Sequence, residues 1–199
     1  MIRNPIFARG AQSAIAQELD NIWPVRRVER DEQMPDTALL YLFCAGLIRQ
    51  KRIADQTEAE IAETMNVNAI SVILECERLL AVNPKARICV IGSESAFKGS
   101  FDHAYATAKA ALHRYVETKR LPFPDQQLVC IAPTHILNTG MCSRRNADGV
   151  ELMEKRRKAH QKQRWLEPFE VARLVHFLLC QDQGYITNTV IRMNGGQHL

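Results

Sequence analysis

Tyr105-Ala-Thr-Ala-Lys109 sets a phenol and an amine four residues apart, which on a helix puts them on one face. A neighbouring ammonium favours the phenolate, so a tyrosine with a free pKa of about 10 moves toward the range where it can trade protons. Ser93 lies twelve residues upstream, at the end of Val90-Ile91-Gly92-Ser93. A hydroxyl arriving on a separate strand can hold the substrate oxygen that gains or loses the proton. Asn68, in Asn66-Val-Asn68-Ala, lies further back. This set describes proton-transfer chemistry.

The elements that must position it alternate between short apolar runs and amphipathic stretches, which predicts a parallel sheet covered on both faces. Pro5 to Ala8 reads as a first strand, Ala11 to Leu19 as a helix, Val25 to Val28 as a second strand and Leu39 to Cys44 as a buried third. Thr57-Glu-Ala-Glu60 is a capping-box start for a long helix to about Val82. Arg87 to Ile91 is the next strand and Ala104 to Arg120 the helix carrying Tyr105. A strand over Gln127 to Ala132, helices over Val150 to Gln163 and Phe169 to Cys180, and a strand over Thr187 to Met193 complete the order.

At 199 residues with 46% apolar content the chain suits one domain with a sizeable core. No apolar run is long enough to span a bilayer and the N-terminus lacks a signal-peptide core, so no membrane partner is expected. The six cysteines, Cys44, Cys76, Cys89, Cys130, Cys142 and Cys180, form no Cys-x-x-Cys pair. Reduced, buried thiols in a cytoplasmic protein are the simplest reading, and no metal is expected. Net charge is +4, concentrated between Arg144 and Arg164, where eight basic residues face three acidic ones. That strip is either a solvated helix face or a basic lid for an anionic substrate. It lacks the interleaved aromatics of a nucleic-acid surface.

Several of these segments resemble the short-chain dehydrogenase/reductase family. Val90 to Ser93 is similar to its strand ending in the active-site serine, and Tyr105 to Leu112 to its catalytic helix. Ile131-Ala132-Pro133 with Thr139-Gly140-Met141 resembles the segment beside the nicotinamide, Thr134 replacing the usual glycine. Arg164 to Pro168 and Tyr185 to Gly196 resemble the closing helix start and last strand. The resemblance implies a doubly wound, Rossmann-like α/β domain over residues 1–199, with a substrate lid at about 141–165. It implies that Tyr105 is general acid or base, that Lys109 lowers its pKa and reaches ribose hydroxyls, and that Ser93 holds the substrate oxygen. Ser95 is the reserve, since the spacing from Ser93 to Tyr105 is one residue shorter than the family's. Asn68 would hold a water behind Lys109, with Asn66 as the alternative register.

The nucleotide half departs most from the pattern. The glycine-rich turn corresponds to Arg9-Gly10-Ala-Gln-Ser13-Ala14-Ile15-Ala16, where only Gly10 remains. Fewer than twenty residues separate the first helix from Leu39, where the family places two strands and two helices, so one wall of the adenosine pocket must be shortened or come from another subunit. Cys44-Ala45-Gly46 replaces Asn-Ala-Gly, losing a bracing amide. Carried over position by position, cofactor contacts fall to Arg9, Gly10, Ser13, Ile15, Ala45, Gly46, Tyr105, Lys109, Ile136 and Thr139. No acidic residue ends the second strand to hold a ribose hydroxyl; Arg26, Arg27 and Arg30 are there instead, so NADP is expected over NAD. The expected activity is an NADP-dependent interconversion of a carbonyl and an alcohol, on a small molecule that is anionic if the basic strip is a lid, in a homodimer or homotetramer. The competing reading is a non-catalytic ligand-sensing or interaction protein on the same scaffold.

Overall fold

The computed structural model of the chain describes residues 3–10, 12–137, 150–181 and 183–197. Six strands, β1 (Ile6–Arg9), β2 (Val25–Val28), β3 (Leu40–Phe43), β4 (Arg87–Ile91), β5 (Gln127–Pro133) and β6 (Thr189–Met193), form one sheet in the order β2-β1-β3-β4-β5-β6. Every neighbouring pair is parallel. The chain leaves β1 outward to β2, then returns to the other side of β1 as β3. That reversal opens a crevice at the carboxyl ends of β1 and β3, where doubly wound sheets hold ligands.

The strands read as they do because parallel sheets are buried on both faces. All four residues of β3 and all seven of β5 are buried. Alternation divides them between two cores: Leu40 and Leu42 pack under α1 (Ala14–Asp20) and the Pro168–Cys180 helix, whereas Tyr41 and Phe43 face Val72, Cys76 and Leu112 on the opposite side. Of the cysteines, Cys44, Cys76, Cys89 and Cys130 are buried thiols and Cys180 is half-buried; Cys142 falls outside the described residues. Among the described residues no helix is long and apolar enough to cross a membrane.

The long helix expected from Thr57 begins with its capping box: the Thr57 hydroxyl accepts the Glu60 N–H at 3.2 Å and the Glu60 carboxylate accepts the Thr57 N–H at 2.9 Å. It is not continuous. A π-turn over Asn66–Ile70 divides α2 (Glu58–Met65) from α3 (Ser71–Val82). The Asn68 amide donates to the Thr64 carbonyl at 2.8 Å, competing with the regular backbone ladder. Next come α4 (Ser95–Lys98), too short to leave a periodic signal, and α5 (His103–Thr118). The last helices are α6 (Val150–Ala159), four residues shorter at its end than expected, and α7 (Pro168–Cys180). Gln163 adopts φ 48° in the turn that follows α6.

One strand, β2, and an irregular segment from Glu29 to Leu39 occupy the shortened region. Side chains from elsewhere satisfy that segment's backbone, as burial requires. Glu75 on α3 accepts the Met34 N–H at 2.8 Å, and Asn83 donates to the Asp36 and Ala38 carbonyls. The Tyr41 hydroxyl lies 2.7 Å from the Pro35 and Ala38 carbonyls. Met34 itself fills the core at 1% exposure. Burial works against the Glu75 carboxylate, but Arg78, the Met34 N–H and Arg9 together hold it below the ordinary carboxylate range.

Glu75→Leu strands the Met34 N–H and the two guanidinium groups, so it is expected to lower unfolding free energy by about 3 kcal/mol. Arg26→Ala, on the exposed edge strand, should change it by less than about 0.5 kcal/mol. Urea denaturation of both variants checks the contrast; equal effects would show that Glu75 does not hold the segment.

Candidate active site

A cleft of about 1320 Å³ runs along the carboxyl ends of the strands, from Arg27 and Arg30 at one end to Trp165 at the other. It exceeds the roughly 300–1,000 Å³ usual for a small-molecule pocket. Tyr105 and Lys109 line it from α5, and Ser93 lines it from the loop after β4.

Asp102 starts α5. Its carboxylate accepts the Tyr105 N–H at 3.1 Å as the cap, and also the Arg49 N–H at 2.8 Å and the Gln56 amide at 3.1 Å. One buried carboxylate thus fastens the helix N-terminus to the loop after β3. Tyr105 is only 6% exposed, so the cleft reaches little more than its edge. Lys109 is 3% exposed, and its ammonium donates to the Ile91 carbonyl at 2.8 Å and lies 5.9 Å from the Tyr105 ring centre. Burial pulls the Lys109 pKa down to about 8.

Ser93 is held on all sides. Its N–H donates to His113 Nε2 at 3.2 Å, and its hydroxyl oxygen accepts the Ser95 N–H at 3.1 Å. With Oγ acting as acceptor toward Ser95, its own proton is left for an oxygen in the cleft. Ser95 also lines the cleft, but from the start of α4, where its N–H orients Ser93. The flanking amides of Gly92 and Glu94 donate to the Ile131 and Pro133 carbonyls at 2.8 and 2.9 Å.

Asn68 does not line the cleft. Fully buried, it grips Leu47 from both sides, accepting its N–H at 3.1 Å and donating to its carbonyl at 2.7 Å. Those bonds fix the loop that follows Gly46. Asn66 engages through its backbone: its N–H donates to the Ala62 carbonyl and its carbonyl accepts from Ser71.

At the nucleotide end, Gly10 has φ 86°, and a Cβ there would sit 2.3 Å from the Ala45 nitrogen. Only glycine fits that crossing of the β1 and β3 turns. Ser13 caps α1, and its hydroxyl donates to Cys44 Sγ at 3.2 Å, while the thiol lies 3.2–3.3 Å from the Gly10 and Arg9 carbonyls. The bracing expected to be lost with the family's amide is therefore partly supplied by a thiol, which burial raises to about 11 and so keeps protonated as a donor. Ile15, Ala45, Gly46 and Ile136 line the cleft as well. Arg27 does too, together with Arg30, but Arg26 does not, as expected for adjacent residues of a strand. Arg9 lines the cleft, yet its guanidinium is drawn to Glu75 at 3.6 Å and to the Glu32 carbonyl. Thr139 lies outside the described residues. A glycine-tight turn, a capped helix N-terminus and a buried amine along one elongated cleft fit a dinucleotide.

At the far end Glu94 and His160, which were not foreseen, join His135 and Trp165. Glu94, 2% exposed, pairs with Arg192 of β6 and accepts from Asn194 at 3.1 Å. His135 stacks on Trp165 at 4.3 Å, and His160 meets that indole edge-on at 5.5 Å. His113 and Asp102 were likewise missed. The one available signal was Asp102, a helix-capping type three residues before Tyr105.

The depressed Lys109 pKa has a stability consequence. Between pH 8 and 10.5 the unfolded lysine holds a proton that the folded one gives up, so raising pH through that window favours the folded chain. Unfolding free energy relative to Lys109→Met is expected to rise by about 3 kcal/mol across it. Urea titrations at stepped pH measure this, and a flat difference would mean that the amine is solvated.

Residues 36–198 match the sequence model of a family described as Enoyl-(Acyl carrier protein) reductase. Over 161 residues the chain is 28% identical to the 3-oxoacyl-[acyl-carrier-protein] reductase FabG of Buchnera aphidicola, covering 78% of this chain and 64% of that protein. The chain thus spans a little under two thirds of the length of the curated relative it matches. A short-chain dehydrogenase/reductase of the glucose/ribitol dehydrogenase type from Brucella melitensis superposes with a TM-score of 0.83 at 17% identity, over 100% of this chain and 98% of that one. Thermoplasma acidophilum aldohexose dehydrogenase does so with 0.83 at 17%, over 98% and 93%. At such identities the two structures share the fold. The family match over most of the chain, together with the sheet order and the Ser93, Tyr105 and Lys109 cleft, shows that the chain belongs to the short-chain dehydrogenase/reductase family.

Proposed function

We propose that the chain is an NADP(H)-dependent oxidoreductase that interconverts a carbonyl and an alcohol. The observation that carries this is the convergence of Ser93, Tyr105 and Lys109 on the same cleft as the Gly10 turn. A sensing or scaffold role has no need of that combination. The bound dinucleotide would supply or accept the hydride. Tyr105 gives its proton to the substrate oxygen in reduction and takes it back in oxidation, help worth about two to four orders of magnitude in rate. Lys109, poised near pH 8 by burial, biases the phenol toward release and has N–H groups beyond its Ile91 bond for ribose hydroxyls. Ser93 donates to the same substrate oxygen, stabilising the charge that develops there. Asn68 serves this site from behind by holding Leu47 in the loop.

Arg27 and Arg30 at the nucleotide end suit a 2′-phosphate, which favours NADP over NAD. At the other end, Lys98 and Arg156 line the cleft beside the His135 and Trp165 rings. These cations favour a substrate that carries an anionic group; of the lid expected at 141–165, residues 141–149 lie outside the described residues.

Titration with NADPH and NADH, followed by nicotinamide fluorescence, tests the reading. Saturable binding is expected, tighter for NADPH by roughly tenfold, with Arg27→Ala removing most of that preference. No binding of either nucleotide at millimolar levels would overturn it. Tyr105→Phe should keep nucleotide affinity and cut turnover by about two to four orders of magnitude, on whichever carbonyl of a test panel the wild type reduces. Equal rates would remove Tyr105 from the mechanism.

A further inference from the structure

His113 lies one turn beyond Lys109, so Tyr105, Lys109 and His113 form a single file along α5. The imidazole is 4% exposed. Its Nε2 accepts the Ser93 N–H at 3.2 Å, which requires a neutral ring with its proton on Nδ1. Nδ1 is buried and has no hydrogen-bond partner among the described residues.

The ring is wedged in place from several elements. A Cβ on Gly92 would fall 2.1 Å from His113 Nε2 and 2.6 Å from Cys130 Sγ on β5, so the glycine is what admits the imidazole. Phe97 of α4 covers it at 5.0 Å between ring centres. Burial and the Lys109 ammonium favour the neutral form, bringing the pKa to about 4, while Glu94 works weakly the other way.

Stability alone does not account for a histidine here. A buried Nδ1–H without a partner among the described residues costs stability, and an aliphatic side chain of similar size would avoid that cost. What the imidazole supplies is an acceptor for an amide that no neighbouring strand reaches. Together with the Lys109 bond to the Ile91 carbonyl, it grips the end of β4 as a further strand would, one donor and one acceptor.

We propose that His113 is a positioning residue for Ser93: the neutral imidazole fixes the Gly92–Ser93 peptide so that the serine hydroxyl faces the substrate oxygen beside Tyr105. The functional half of this rests on the reading of Ser93 and Tyr105 as the proton-transfer pair. The hydrogen bond itself does not.

Two measurements separate these parts. In long-range proton–nitrogen NMR spectra of the unliganded wild type, the histidine resonances lost in His113→Gln should show a protonated Nδ1 and bare Nε2, unchanged from pH 8 down to 5. An Nε2–H tautomer, or titration near pH 6.5, would refute the proposal whether or not the protein is an enzyme. Kinetics then test the consequence. His113→Leu should keep NADPH affinity within about threefold and lower kcat by about 10- to 100-fold, with KM little changed. His113→Gln, whose amide oxygen can accept the same N–H, should recover most of kcat. A merely structural role would move nucleotide affinity and melting temperature along with kcat, without rescue by glutamine. Wild-type kcat in the leucine variant would overturn the proposal, and if that variant does not fold, the tautomer in the wild-type chain still decides. Failure of the wild type to bind or turn over nucleotide would defeat the enzyme reading and leave the NMR result to judge the bond.

Discussion

The geometry of the site depends on how α5 holds the end of β4. Two side chains from one helical file reach that strand end: Lys109 donates to the Ile91 carbonyl and His113 accepts the Ser93 amide. On its other side the strand end is paired with β5, through the Gly92 and Glu94 amides. Ser93 therefore sits between a strand and a helix, with its hydroxyl oxygen accepting the Ser95 N–H. Since Tyr105 belongs to the same file, one helix both presents the phenol and ties down the serine segment.

The grip costs stability. An amine at 3% exposure with one acceptor is held in its charged form against its solvation preference. A buried histidine with an idle N–H adds to the cost. The large apolar clusters on both sheet faces offset both. Two further ties carry the same rigidity toward the nucleotide end. Asp102 joins the start of α5 to the loop after β3, and Asn68 clamps that loop from the π-turn. The Cys44 thiol then links the β3 turn to the β1 turn and to the cap of α1.

Much of this was legible in the sequence, and the boundary has a physical cause. Short apolar runs gave the strands to within one or two residues, because parallel strands buried on both faces leave little choice of residue type. The Thr57 capping box and the Tyr105/Lys109 pair were readable because their partners are local in sequence. The π-turn was not, since the Asn68 amide that bonds Thr64 there is also held by Leu47, twenty-one residues away. Nor was the way the shortened segment is closed, where Glu75, Asn83 and Tyr41 supply bonds to the Met34–Ala38 backbone. Arg9, read as a nucleotide contact, lines the cleft while Glu75 draws its guanidinium toward α3, a pairing that the sequence did not suggest. Cys44 looked like a loss and is a brace. Glu94 finds Arg192 ninety-eight residues away, a pairing that no spacing rule suggests.

Amide hydrogen exchange at residues 92–95, compared with Ala108 and Leu112 in the centre of α5, tests the central claim most directly. If the helix and strand end act as one unit, the Gly92, Ser93, Glu94 and Ser95 amides exchange only through the opening that releases α5, with protection of the same order. Exchange a hundredfold faster at those four amides, while α5 stays protected, would mean that the serine loop opens by itself and that the helix does not hold it.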